Sequence, residues 1–235
     1  MCGRGGLDYS WSEVYRYLDI FGSPPSGGVR RLNVAPSRRQ GGEVHWTRLP
    51  VCRAADSKRR LDELVWPLVP NWARAELPEY ATANCRSEPG RPFGETVGRK
   101  PAFRTAWKRG QRCLVPFSWF YEWDQRSQPK QPYRVTSAGG ELLVMAGLWD
   151  RSQSPSGEAV ESFTLITTEP NELLRAIGHH RSPVILDPGG FETWLAGSAE
   201  EAERLIVPPT EGLLAASAVT RAVNNPGYEG EDLLP

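Results

Sequence analysis

Apolar positions along the chain change period several times, and each change marks an element. Val14, Tyr17, Leu18 and Phe21 recur at three- and four-residue intervals behind Ser10-Trp11-Ser12-Glu13, where Ser and Glu stand at capping-box spacing. A short helix ending near Gly22 is predicted there. Residues 23–28, rich in Pro, Gly and Ser, read as a loop before a strand over residues 29–34. Residues 43–49 and 63–66 predict a hairpin-like pair joined by a basic, polar connection. The run Trp66-Pro67-Leu68-Val69-Pro70-Asn71-Trp72 predicts a rigid aromatic loop, because its prolines remove ladder donors.

After a strand over residues 80–86, the Pro/Gly-rich residues 89–94 predict an exposed excursion. Pro101 suits a first helical position and Gly110 a cap, so residues 102–109 predict a helix with Arg104 and Lys108 on one face. Strand patterns then crowd together at residues 112–115, 119–123, 133–136, 142–149 and 163–168. A short helix from Pro170 to Leu174, a strand at 184–186, a helix capped by Ser198 and Glu201 that reaches Ile206, and a last strand near 213–219 complete the pattern. Strands dominate the middle without strand-helix alternation. The fold class is therefore α+β: a single compact domain over residues 1–235, with a bent, barrel-like, mostly antiparallel β-sheet surrounded by short helices.

Composition narrows the functional classes. A chain of 235 residues can bury one substantial core, and 28 basic against 28 acidic residues leave no bulk charge for holding polyanions. Local charge differs: Arg99, Lys100, Arg104, Lys108, Arg109 and Arg112 fall in one stretch free of acidic residues, which makes a basic face or a solvated helix surface. The four cysteines, Cys2, Cys52, Cys85 and Cys113, form no close pairs, and with only three histidines a structural zinc site is not expected. No secretory signal or transmembrane-length run is visible, so a reducing, cytoplasmic setting with free thiols is expected.

The candidate chemistry begins at Met1-Cys2-Gly3-Arg4. With Met1 removed, Cys2 presents an α-amine and a thiol on adjacent carbons, a 1,2-aminothiol that no internal cysteine offers. Their reference pKa values of about 8 and about 8.5 leave both partly nucleophilic near neutral pH. Such a pair traps an aldehyde as a Schiff base that sulfur closes into a five-membered ring, or uses the amine as base for the thiol in acyl transfer.

Asn84-Cys85-Arg86-Ser87-Glu88 brings an amide, a guanidinium and a carboxylate to one strand end, suited to phosphate and amine binding or to an internal Arg86–Glu88 ion pair. Glu122 lies among Phe117, Trp119, Phe120, Tyr121 and Trp123; a carboxyl buried there needs a partner or a proton-transfer role. Strand alternation alone leaves open whether it faces the interior or solvent. His179-His180-Arg181 sets two imidazoles beside a fixed cation, with the two rings expected to point apart. Trp66 and Trp72 can stack on bases or anchor their loop in the core.

In order along the chain, Met1-Cys2-Gly3-Arg4, Asn33-Val34-Ala35-Pro36, Trp66 to Trp72, Asn84-x-Arg86-Ser87-Glu88 and Pro101-Ala102-Phe103-Arg104 resemble the SOS response-associated peptidase (SRAP) family of abasic-site processing proteins. The likeness continues through Arg112-Cys113-Leu114-Val115-Pro116, Phe120-Tyr121-Glu122-Trp123, Ala146-Gly147-Leu148-Trp149 and Thr164 to Thr168. It closes with His179-x-Arg181-x-Pro183-Val184-Ile185-Leu186 and Val223-Asn224-Asn225. The resemblance implies loss of Met1 and covalent capture of abasic sites in single-stranded DNA through a thiazolidine at Cys2. It implies a lyase-like, self-processing N-terminus with peptidase-type chemistry.

By position it makes Cys2 the nucleophile, Asn84 the group orienting its amine, Glu122 the proton carrier and His179 the group that helps open the deoxyribose. Arg4, Asn33, Trp66, Arg86, Thr168 and Arg181 become DNA-contacting residues. No cofactor, metal or membrane is implied, and the expected protein is a cytoplasmic monomer that joins the nucleoid when bound to DNA.

Departures from the family pattern are Pro67 for Gly, Phe117-Ser118-Trp119 for Ala-Asp-Gly, Ser182 for Met, and residues 89–94 as an insertion. Two other readings remain at this point. An N-terminal-cysteine amidotransferase of glutaminase type also begins Met-Cys-Gly, but should show further glutamine-binding motifs and a second domain. A noncatalytic reader of modified DNA would leave Cys2 incidental.

Overall fold

The computed structural model describes residues 3–56 and 58–234. In chain order its first strands are β1 (Gly5–Ser10), β2 (Gly28–Val34), β3 (Arg38–Gln40), β4 (Glu43–His45), β5 (Thr47–Ala55), β6 (Lys58–Trp66) and β7 (Asn84–Arg86). They are followed by β8 (Arg112–Phe117), β9 (Trp119–Trp123), β10 (Pro132–Ser137), β11 (Leu143–Gln153), β12 (Ala159–Thr168), β13 (Ser182–Pro183) and β14 (Leu214–Ala218). The helices are short: α1 (Trp11–Tyr17), α2 (Phe93–Gly98), α3 (Arg104–Lys108), α4 (Glu172–Ala176), α5 (Phe191–Ala196) and α6 (Ala199–Glu203).

Five strands, in the order β11-β8-β5-β6-β12, close into a barrel because β12 pairs back with β11. The β6–β12 seam is parallel and the other barrel seams are antiparallel. The near-continuous burial of β8 fits closure, which leaves one face inside the barrel and the other beneath α5. Gly147 in β11 sits where a Cβ would come within 2.8 Å of both Cys113 Sγ and the Thr164 carbonyl, so a side chain there would push two neighbouring strands apart.

A second, antiparallel sheet runs β14-β10-β9-β1-β2. The chain steps between the sheets at Ser118, whose N–H donates to the Gly6 carbonyl between β8 and β9. Leu7, Leu49, Val51, Leu64, Trp66, Leu114, Phe117 and Leu165 belong to the main core. A smaller cluster of Leu32, Trp119, Tyr121, Val223 and Leu233 seals the outer sheet under the C-terminal segment.

The α+β class and the barrel-like sheet agree with the sequence reading, and β9 has the bounds read from the sequence. The hairpin does not. β5 and β6 pair from Thr47↔Trp66 to Ala55↔Lys58, so the basic stretch read as a connection is itself ladder. There Arg53 is buried against Asp62 at 2.9 Å and Glu161 at 3.0 Å, with its guanidinium 4.3 Å from the centre of the Trp149 ring. Residues 43–45 instead pair with β3. Residues 89–94 are only partly an exposed excursion, since Phe93 is buried and opens α2. Near residues 184–186, the pairing is the two-residue β13 plus one bridge from Ile185 to Met145.

Candidate functional site

The second sheet and β7 meet near the start of the chain. β1 runs antiparallel to β9 with Gly5 opposite Phe120, and the Tyr121 N–H donates to the Arg4 carbonyl at 3.0 Å. Continuing that register carries Gly3 towards Glu122. Gly3 also lines a cleft of about 380 Å³ with Ala81, Ala83, Asn84, Arg86, Lys100 and Phe103. Cys2 lies outside the described residues.

Glu122, whose facing the sequence left open, is buried and does not face solvent. Its Oε2 lies 2.9 Å from His179 Nε2, and both side chains are almost fully enclosed. His179 Nδ1 lies 2.9 Å from the Arg181 carbonyl and 3.4 Å from the Arg181 N–H, and the ring's tautomer decides which of the two it bonds. One transferable proton sits between Nε2 and the carboxylate, whichever atom holds it. That is the equipment of a general acid–base pair.

The turn through Gly178, at φ +77°, stacks His180 on His179 with ring centres 5.2 Å apart, instead of pointing the two rings apart. His180 is exposed, and desolvation first, then His179, holds its imidazole below the ordinary value.

Arg86 leaves β7 at the cleft rim, and Arg181 lies behind it, donating to the Thr167 carbonyl and, at 3.1 Å, to Thr167 Oγ1. Burial first and Arg86 next depress the Arg181 pKa, so two like charges are held close together. Such a pair favours an anion between or before them. Lys100 Nζ donates to the Arg86 carbonyl and approaches Glu88 Oε1 at 3.6 Å, and Arg91 lies 4.0 Å from Glu88 Oε2. Of the basic stretch, Arg104 and Lys108 are exposed. Arg112 is structural, donating to the carbonyls of Trp194 and Gly197.

The loop after β6 is pinned from the barrel. Ser162 Oγ accepts from the Val69 N–H at 2.7 Å, Asp150 Oδ2 from Asn71 at 2.9 Å and Ser152 Oγ from Ala75 at 2.8 Å. These bonds hold Arg74 and Ala75 at φ +54° and +63°, conformations that cost non-glycine residues energy. Burial raises the Asp150 carboxyl above its ordinary range. The pinned loop presents Trp72, half exposed and stacked on Tyr80 with centres 6.4 Å apart.

Three of the expected DNA-contacting residues have other partners in the structure. Trp66 is fully buried, stacked on Phe163 and edge-on to Phe117, with its Nε1 donating to the Ala83 carbonyl; no ring face remains for a base. Asn33 is also buried. Its side-chain oxygen accepts from Arg4 at 2.9 Å and its side-chain amide donates to the Val223 and Asn225 carbonyls, so the side chain holds Arg4 in place. Arg4 in turn donates to Val223 and Asn224 carbonyls, which accounts for the Val223-Asn224-Asn225 motif. Thr168 pairs with Ser182 and lines a neighbouring groove with Ser87 and Glu169.

A family model described as SOS response associated peptidase (SRAP) matches residues 1–226. The chain belongs to the SRAP family. Among relatives of this SRAP chain, abasic site processing protein YoaM of Bacillus subtilis (strain 168) is 32% identical over 239 residues, spanning 100% of this chain and 97% of that protein. Abasic site processing protein HMCES of Gallus gallus is 34% identical over 243 residues, spanning 88% of this chain and 70% of that protein. A crystal structure of a protein from Bordetella bronchiseptica, 28% identical, superposes with a TM-score of 0.75 and covers 93% of the SRAP chain and 100% of its own.

The described cysteines of the SRAP chain are poor nucleophiles. Cys52, Cys85 and Cys113 are buried. Desolvation pushes Cys52 and Cys85 up to about 12 and Cys113 further still, so all three are thiols at neutral pH. Sequence reasoning passed over Lys100 and Phe103 in the cleft and the Asp150, Ser152 and Ser162 anchors. Lys100 was visible only as one charge in a basic run, and the anchors carried no motif at all.

Proposed function

We propose that this SRAP chain processes abasic sites by covalent capture, with Cys2 as nucleophile and single-stranded DNA as partner. After Met1 leaves, by self-cleavage or through a housekeeping aminopeptidase, the Cys2 amine attacks the C1′ aldehyde of the ring-opened deoxyribose. Loss of one water gives the Schiff base. The thiol then adds across C=N, its proton passing to nitrogen, and closes the thiazolidine. Glu122 takes and returns protons in the dehydration and closure steps, and His179, sharing its proton, assists opening of the sugar. Asn84 orients the amine. Arg4, Arg86 and Arg181 hold flanking phosphates without reading sequence.

The observation that carries this reading is the enclosed Glu122–His179 bond at 2.9 Å, on the strand whose register runs towards Gly3 and the cleft. The names of the relatives support the substrate class. The protein acts as a cytoplasmic monomer in this reading.

The test mixes Met1-processed protein with a single-stranded oligonucleotide carrying one abasic site and resolves the products on a denaturing gel. A shifted band that disappears in Cys2→Ala is expected. A glutaminase signal in place of the band, or DNA binding that is equal in Cys2→Ala with no denaturation-resistant product, overturns the assignment.

A further inference from the structure

β2 is an edge strand, and its pairing with β1 is irregular where the chain approaches the site. Gly5 opposes Val34, yet Leu7 opposes Arg31, so Leu32 and Asn33 together face Gly6 alone. That is a β-bulge, which turns two successive backbone N–H groups the same way. Here both reach one carboxylate: the Leu32 N–H donates to Glu229 Oε2 and the Asn33 N–H to Glu229 Oε1 at 3.2 Å. Two convergent amides holding both oxygens of one anion make a small anion nest.

Its surroundings are cationic. Arg31, Arg38, His45 and the part-exposed Trp46 line the same recess, of about 160 Å³, together with Glu229. Among the described residues neither guanidinium forms an ion pair with Glu229; Arg31 donates to the Arg48 carbonyl at 2.9 Å, and Arg38 is exposed. Arg38 also depresses the Arg4 pKa, second to burial, which puts the recess within electrostatic reach of Arg4.

The anion filling the nest comes from the chain's own end. From Ala222 onwards the sequence has Glu229, Glu231 and Asp232 and no Lys or Arg. The family match stops at residue 226, so this acidic tail lies beyond it. Leu233, packed under Trp119 and Tyr121, fixes the tail, while Glu229 itself is exposed and open to exchange with a solvent-borne anion.

We propose that the Leu32 and Asn33 amides with Arg31 and Arg38 form a binding site for one phosphodiester of a nucleic acid strand, which Glu229 fills until the strand displaces it. The site rests on the proposed function for its ligand class. The tail then acts as a tethered competitor: it weakens binding of any strand equally and leaves chemistry at the cleft untouched.

The test measures fluorescence anisotropy of a labelled, undamaged single-stranded oligonucleotide with full-length wild type, Glu229→Gln and Arg38→Ala, at low and at moderate salt. Removing one exposed competing charge should tighten binding roughly fivefold at low salt, with the gain shrinking as salt rises. Arg38→Ala should weaken binding. In the wild type, the Leu32 and Asn33 amide resonances should move as the strand is added.

Glu229→Gln affinity at or below wild type, with an unchanged melting temperature, overturns the proposal. So do stationary Leu32 and Asn33 amides at saturation, which also decides the matter if the variant melts early. Abasic oligonucleotide run in parallel separates the two claims. Tighter Glu229→Gln binding without any covalent product keeps this site and removes the Cys2 chemistry, whereas covalent product with unaltered affinity does the reverse. A protein that binds no strand at all removes both.

Discussion

Replacing Glu122 with Gln isolates the proton-carrying role from the structural one. The side chains of Glu122 and His179 are 2% and 1% exposed, so both are shielded from bulk water. Gln keeps the volume and can donate an amide hydrogen to Nε2 while Nδ1 stays bonded to the Arg181 carbonyl. The hydrogen bond changes character and is not lost, so the stability cost should be about 1 kcal/mol. What goes is the carboxylate. A positioned acid–base group contributes ~10²–10⁴ in rate, equivalent to ~3–5 kcal/mol of barrier.

His179→Ala should behave differently. It removes one partner of a buried hydrogen bond, costing ~1–3 kcal/mol, or roughly 2–12 °C in melting temperature for a chain of this size. Single-turnover capture followed on denaturing gels gives the rate, and anisotropy gives noncovalent affinity. Glu122→Gln should capture at least a hundredfold more slowly at near-normal affinity. A wild-type capture rate would refute the proton-carrying role, and lost affinity with an unchanged rate would recast Glu122 as part of the binding surface.

Further outcomes test the surroundings. Trp66→Phe should lower the melting temperature and leave strand affinity within about twofold, because the ring packs in the core; Trp72→Ala should do the opposite, losing ~1–3 kcal/mol of stacking at little cost in stability. Anisotropy and thermal melts decide between them. Ser162→Ala strands the buried Val69 N–H and should cost ~1–3 kcal/mol by denaturant melt; a neutral result would mean the loop is held without it.

Burial raises the native Asp150 pKa, so the native state takes up a proton before the unfolded chain does. Stability from this group therefore rises as pH falls from the native value to the ordinary carboxylate value. Wild type minus Asp150→Asn, melted across that window, should show this slope; a flat difference contradicts it. Gly147→Ala should destabilise the barrel by ~1–3 kcal/mol through its contacts at 2.8 Å, and a neutral melt would mean that the β8–β11–β12 seam yields.

Much of the fold was legible because local pattern and tertiary role agreed. Residues 119–123 are aromatic but for Glu122, and they form β9 as read. Ser198 and Glu201 form a complete capping box on α6. Elements were missed where a tertiary contact outweighed local signal. The basic residues Arg53, Arg59 and Arg60 read as a polar connection, but Arg53 finds Asp62 and Glu161 and can stay in a ladder. β1 opens on two glycines with no strand propensity. They are there because a Cβ on Gly5 would meet the Phe117 ring at 2.6 Å and one on Gly6 the Trp119 ring at 2.0 Å.

At the site, residue types were legible and partnerships were not. Glu122 drew notice by its aromatic neighbours, but strand alternation left its facing open, and nothing in the sequence pairs it with His179. Asn33 and Trp66 carry the family pattern, yet their tasks in this structure are holding Arg4 and filling the core.

The most direct measurement is the intact mass and attachment point of the adduct formed with an abasic oligonucleotide without reductant. The account predicts protein lacking Met1 plus oligonucleotide minus one water, mapped to Cys2 and absent when the terminal amine is acetylated. An adduct that survives acetylation, or one that needs borohydride and maps to Lys100 on the cleft wall, would contradict it.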